Sequence, residues 1–233
     1  MTRKRRCPLP AALYPLVLLV LSACFSTFHP APLTDPSDAR FSAIAPDSFD
    51  VSMLTTKGEM IVRARRNWSP LGVDRFYVLA KNQYFDSVAF FRTVGNFVAQ
   101  FGLHGDTAVT RAWRGKSMLD EPVKVVNQKG TLSYARGGVN SRSNQLFFNT
   151  VDNTPRLDTL NTFGFPPIAQ VIKGIGVLDS LNWEYGGRRA EGVRLPPGPS
   201  QDSLRLQGNA YLRRNYPRLD YILKARVVRE WRG

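Results

Sequence analysis

Phe90-Phe91-Arg92-Thr93-Val94-Gly95-Asn96-Phe97-Val98-Ala99-Gln100-Phe101-Gly102 is a run of β-forming residues broken once, at Gly95-Asn96. Two β-rich halves around such a break predict two short strands joined by a bend. Side chains alternate between the faces of a strand, so Arg92 can point to one face while the bend returns Phe97 and Gln100 to its side. The product would be a guanidinium beside an apolar floor. A single Arg in a strand is most often a solvated surface cation, so the reading depends on what the rest of the chain supplies.

Gly130 to Thr150 supplies a second unit: a strand, a loop of Gly, Ser and Asn, and another strand. Together the two stretches resemble the cyclophilin family of peptidyl-prolyl isomerases. The resemblance rests on Phe90, Arg92, Phe97 and Gln100, then on Gly130, Leu132, Ser133 and Ala135, then on Asn144, Gln145 and Phe147, in that order and spacing. It runs from about Phe49 to Val228. It implies a mainly β fold, a closed eight-stranded antiparallel β-barrel capped by two helices, with the catalytic groups Arg92, Phe97 and Gln100. Phe97, Val98, Phe147 and Leu157 would line a proline pocket, with Gln100 and Gln145 orienting Arg92 or the substrate backbone. Ala135, Arg136 and Gly137 match the segment that pairs with the substrate chain, and Asn161 aligns most simply with the pocket's downstream His. Besides Asn161, three positions depart from the family: Arg136 replaces the usual Asn, Val98 the common Met, and Arg156 the Trp that helps bind cyclosporin in vertebrate members.

Hydropathy patterning agrees with a barrel. Phe49 to Thr55 and Glu59 to Arg65 alternate around Thr56-Lys57-Gly58 and predict a hairpin. Ser69-Pro70 predicts an N-cap and first position of a helix running to about Asn82. Thr107 to Val126 has no clear period. Strands are expected at Thr131 to Ala135, Gln145 to Thr150, Ile168 to Ile172 and Asp220 to Arg229, with a second helix from Gly174 to Trp183. Many short strands and few helices argue for a closed or nearly closed antiparallel barrel. Tyr185 to Leu219, rich in Gly, Pro and Arg, holds a short helical pattern at Gln207 to Leu212 and is expected to form an accessory helix and loop region.

The N-terminus reads separately. Arg3-Lys4-Arg5-Arg6 followed by an apolar run from Ala11 to Leu21 has the form of a secretory signal. The run is too short for a bilayer, which needs about 20 residues. Leu21-Ser22-Ala23-Cys24 resembles the bacterial lipobox, so Cys24 is the expected lipidation site, anchoring the protein on the periplasmic side of the outer membrane. The expected organisation is a signal at 1–23, a Pro-rich tether at 24–46 and the isomerase domain at 47–230. Removing four cations from 32 leaves 28 against 18 acids, a charge near +10. That charge suits anionic envelope surfaces, and no helix carries a basic stripe for nucleic acid.

Other chemistry has little to work with. His29 and His104 are the only histidines and Cys7 and Cys24 the only cysteines, so neither a metal site nor a cofactor is expected. No nucleophile elbow precedes a helix. The expected partners are therefore proline-containing segments of exported proteins, met by a monomer on a lipid anchor. The competing expectation is a tethered binding or chaperone module that keeps the groove but turns over little.

Overall fold

The computed structural model describes residues 29–160, 163–186 and 197–232, and the backbone of Arg189–Ala190 and Val193–Arg194. Its strands are β1 (Ser48–Thr55), β2 (Gly58–Arg65), β3 (Val88–Ala89), β4 (Arg92–Val94), β5 (Val98–Phe101), β6 (Thr131–Tyr134), β7 (Leu146–Asn149), β8 (Pro167–Lys173), a small pair β9 (Arg189–Ala190) and β10 (Val193–Arg194), and β11 (Tyr221–Trp231). The helices are α1 (Pro70–Lys81), α2 (Thr107–Ala112), α3 (Arg156–Thr159), α4 (Gly176–Ser180) and α5 (Gln201–Asn215).

The main sheet is antiparallel, in the order β3-β11-β1-β2-β8-β6-β7-β5-β4. Its two outer members, β3 and β4, are separated only by Phe90 and Phe91. They are halves of one extended run, pairing Ala89 with Tyr221 of β11 and Arg92 with Gln100 of β5. Counted as one, that run closes the curled sheet into the expected eight-stranded barrel. The inside follows from alternation: Ala99 and Phe101 of β5, Leu146 and Phe148 of β7 and Leu132 of β6 are fully buried in the central core. Phe101 stacks on Phe148 with centroids 5.5 Å apart, a geometry that adds to plain area burial.

Helix α1 closes one end of the barrel, near Arg65 and Trp231, burying Val73, Phe76, Tyr77 and Ala80 in the core. The short α4 lies at the other end, where Val177 approaches Gly58. The second helix is thus shorter than Gly174 to Trp183, because Leu181 already takes extended backbone. Helix α1 also starts differently from expectation. Ser69 makes no side-chain cap bond; instead the Glu121 carboxylate, 50 residues away, accepts from Leu71 N at 2.9 Å and Gly72 N at 3.1 Å. A carboxylate there satisfies orphan amides and favours the helix dipole.

Two regions differ more from the sequence reading. Residues 31–45, expected as tether, lie on the body: Ala31 N donates to Asn82 Oδ1, Trp113 Nε1 donates to Leu33 O, and Phe41 packs edge-on against Trp113. Helix α2 was hidden in a polar stretch, where Asp106 caps it through Ala108 N.

The accessory helix α5 buries Leu204 and Leu212 against Ala89, Phe91 and Leu103 on the outside of the barrel. It kinks at Gly208, with φ 60° and ψ −153°, a conformation essentially confined to glycine. A Cβ there would stand 2.2 Å from Gly105 O, so close backbone approach seats the helix.

Candidate functional site

The same alternation that fills the barrel places the other side chains on its outer surface. Arg92 pairs with Gln100 across β4 and β5, Gln100 with Phe147 across β5 and β7, and Phe147 with Ser133 across β7 and β6. This rung faces outward, since its neighbours Ala99, Phe148 and Leu132 face the core. The bend at Gly95-Asn96 is tight, with Phe97 N donating to Val94 O at 3.1 Å and Asn96 at φ 53°.

Arg92 Nη1 donates to Gln100 Oε1 at 3.2 Å, and Gln100 Nε2 donates to Gln145 Oε1 at 3.0 Å. The two amides form a relay that fixes the guanidinium's direction. Beside it lies a separate apolar cluster on the outer surface: Val98, Phe147, Leu157 and Phe165, with Phe97 and Ala135 packed against it. Phe97, Val98, Phe147 and Leu157, expected to line the pocket, meet there. Phe165 was not foreseen; its ring meets Phe147 edge-on at 5.5 Å. It lies past a stretch of altered length, where no pattern marked it.

Buried amides hold this pocket from below. Asn153 Nδ2 donates to Phe97 O and to Asn149 Oδ1, while Asn127 Nδ2 donates to Phe165 O and to Asp158 Oδ1. Asn149 Nδ2 and Ser133 Oγ both donate to Asn127 Oδ1, so the network is continuous. Satisfied buried polar groups of this kind specify one arrangement, because leaving any member unpaired is costly. Arg156 sits 5.0 Å over the Phe97 ring, a cation on the aromatic face.

Arg136 plays a different part from the one expected of a cation in the substrate-pairing segment. Its side chain is 2% exposed. Nε donates to Gly164 O at 3.0 Å, Nη2 to Leu160 O at 3.3 Å and Nη1 to Asp120 Oδ2 at 3.2 Å. The guanidinium thereby ties Leu160 and Gly164, the latter next to Phe165, to Asp120. In the same stretch Ala135 N donates to Gln145 O, and Gly137 N donates to Ser141 Oγ. Replacing Arg136 by Ala is expected to loosen the Phe165 wall, lowering stability by about 1–3 kcal/mol in urea unfolding. It should also raise KM for a proline peptide. Lys at 136 should not restore either value, since one ammonium cannot reach three acceptors in a plane. Cys24 and Asn161 lie outside the described residues.

Comparison with known proteins agrees with this geometry. Residues 50–194 match the family model for cyclophilin type peptidyl-prolyl cis-trans isomerases. The peptidyl-prolyl cis-trans isomerase cypE of Dictyostelium discoideum is 33% identical over 135 residues, covering 57% of this chain and 83% of that protein. A peptidyl-prolyl cis-trans isomerase of Acinetobacter baylyi is 26% identical over 132 residues, 56% of this chain and 70% of its own. Among solved structures, a cyclophilin of Cryptosporidium parvum superposes with a TM-score of 0.53 at 16% identity, over 79% of this chain and 99% of its own. The same protein has a structure in the presence of the dipeptide Ala-Pro. The chain belongs to the cyclophilin-type peptidyl-prolyl cis-trans isomerases.

Proposed function

We propose that this domain accelerates rotation about X-Pro bonds in exported proteins, with Arg92 as the group that acts on the twisted amide. Rotation breaks amide resonance and meets a barrier of about 18–20 kcal/mol, which makes uncatalysed exchange slow. A catalyst needs no nucleophile. It must seat the proline ring and favour the state in which the prolyl nitrogen has regained its lone pair. Phe97, Val98, Phe147 and Leu157, with Phe165, form the apolar seat. Arg92, aimed by Gln100 and Gln145, donates a hydrogen bond to that nitrogen.

The observation that carries this reading is the Arg92–Gln100–Gln145 relay running beside the apolar pocket on one outer face. The test is NMR exchange spectroscopy of a short Ala-Pro peptide with the purified chain. Faster cis–trans exchange supports the reading, and exchange at the uncatalysed rate overturns it.

The cellular setting rests on Arg3 to Arg6, the apolar run after them, and Leu21-Ser22-Ala23-Cys24. These support a lipid-anchored protein of the bacterial envelope, on the periplasmic side of the outer membrane. With residues 31–45 docked on the body, the linker from Cys24 is short, so the groove would work close to the bilayer. Among the described residues, no helix is long and apolar enough to cross a membrane. Labelled palmitate fed to cells expressing the full chain should enter the wild type and be absent from Cys24→Ser. Equal labelling would refute the anchor.

A further inference from the structure

Two cavities adjoin the amide relay. One, of about 410 Å³, is lined by Gln100, Ala135, Gly137, Gln145, Gln201 and Arg205 among others. The next, of about 210 Å³, lies between α2 and α5 and includes Arg111, Arg114, Arg205 and Gln145 in its walls. They share Gly115, Ser143, Gln145 and Arg205. The two cavities meet at Gln145 and Arg205, and the second has three arginines, Arg111, Arg114 and Arg205, among its lining residues. No described residue lining either cavity carries a carboxylate.

The charges in that cleft are largely uncompensated. Arg111 and Arg114 make no ion pair among the described residues. Arg205 pairs with Asp202 of its own helix at 2.8 Å, but the Asp202 side chain is 89% exposed, so water screens that attraction and the pair is weak. Gln201 Oε1 accepts from Arg205 Nη2 at 3.1 Å, which steers the guanidinium without cancelling its charge. Helix α5, which supplies Arg205 to this wall, lies beyond the residues matched by the family model.

We propose that the α2–α5 cleft is an extension of the substrate groove that selects proline segments flanked by acidic residues, with Arg111, Arg114 and Arg205 as the specificity-determining side chains. The proposal rests on the isomerase reading of the Arg92 site. A carboxylate in the cleft would meet two or three cations at once in a half-enclosed space, where attraction is screened less than on open surface. Neutral segments would gain nothing there.

The test compares Ala-Pro peptides with alanine flanks, with a pair of glutamates before the proline, and with a pair after it, using the full chain at low ionic strength. One acidic placement should raise kcat/KM roughly fivefold over the neutral peptide, the scale of one well-placed ion pair. The ratio should fall towards one in salt of about 1 M, where the screening length is about 3 Å. It should also fall towards one in the combined variant Arg111→Gln, Arg114→Gln, Arg205→Gln, and invert in favour of lysine flanks in Arg111→Glu, Arg114→Glu. A wild type that accelerates the neutral peptide but shows no acidic preference, or keeps that preference in the triple variant, overturns the cleft proposal alone. A wild type that accelerates no peptide overturns the isomerase reading instead.

Discussion

Arg92→Ala is expected to lower kcat/KM for proline-peptide exchange by about two to three orders of magnitude, the effect of removing one preorganised donor from a transition state. The loss should fall mainly on kcat, because the proline ring is seated by Phe97, Phe147, Leu157 and Phe165, none of which changes. Removing a group that acts only on the twisted amide leaves ground-state binding nearly intact. Arg92→Lys should recover little. An ammonium lacks the planar fork that lets one N–H meet Gln100 Oε1 while another faces the substrate. Gln100→Ala should lie between, since the donor survives but its aim does not. Exchange rates from NMR and peptide titrations of the same variants separate kcat from KM. An Arg92→Ala protein with full turnover would remove Arg92 from the mechanism. A wild-type protein that binds the peptide in the Phe97 and Phe147 pocket without accelerating its exchange would favour the binding-module alternative, in which the groove holds proline segments without hastening their rotation.

The rung that carries this prediction was legible in the sequence because it depends only on period-two alternation and one bend. Arg92, Gln100 and Phe147 lie in regular strands, so spacing along the chain became spacing across the outer face. The hairpin of β1 and β2 and helix α1 were legible for the same reason. What alternation cannot reach is chemistry that arrives from far along the chain. Phe165 joins the pocket only because Arg136 and Asn127 hold its loop, and neither bond has a local signature. Glu121 caps α1 across 50 residues, where Ser69 looked sufficient. Helix α2 hid because it is short and half-exposed, with Val109 and Thr110 its only buried residues. Residues 31–45 read as linker because the apolar groups that pack on the body, Ala31, Leu33, Phe41 and Ala45, show no period. The segment's regular structure is one 3-10 turn at Ala39–Ser42, too short to show a period.

Arg142→Met is expected to destabilise the domain by about 3–5 kcal/mol, the cost of removing one partner from a buried ion cluster. Arg142 is completely buried. Its Nη2 donates to Glu121 Oε2 at 2.9 Å and to Leu119 O, its Nη1 to Ser69 Oγ at 3.2 Å, and Nε lies 3.7 Å from Asp120 Oδ1. Without it, Glu121 and Asp120 remain inside with less positive charge around them, although Arg136 still meets Asp120. Thermal or urea unfolding reads the loss directly, and a change under about 1 kcal/mol would show that the cluster does not matter to stability.

The same cluster predicts an acid limit. Burial alone would raise the Glu121 carboxyl, but hydrogen bonds from Ser69 Oγ, Leu71 N, Arg142 and Gly72 N outweigh it, holding the group below its ordinary value of 4.5. A carboxyl depressed in the folded state binds its proton more readily when unfolded. Its contribution is therefore complete above about pH 4.5 and is lost as pH falls through the folded value. Glu121→Gln should be less stable near neutrality and should show a shallower decline in acid than wild type. Because Arg142 also joins the 136–144 loop to the start of α1, the decline should carry the groove with it. Acceleration of exchange should fade in the same acid range as the fold. If catalysis faded at a distinctly higher pH than unfolding, a separate titrating group would govern the site, and Glu121 would be structural only.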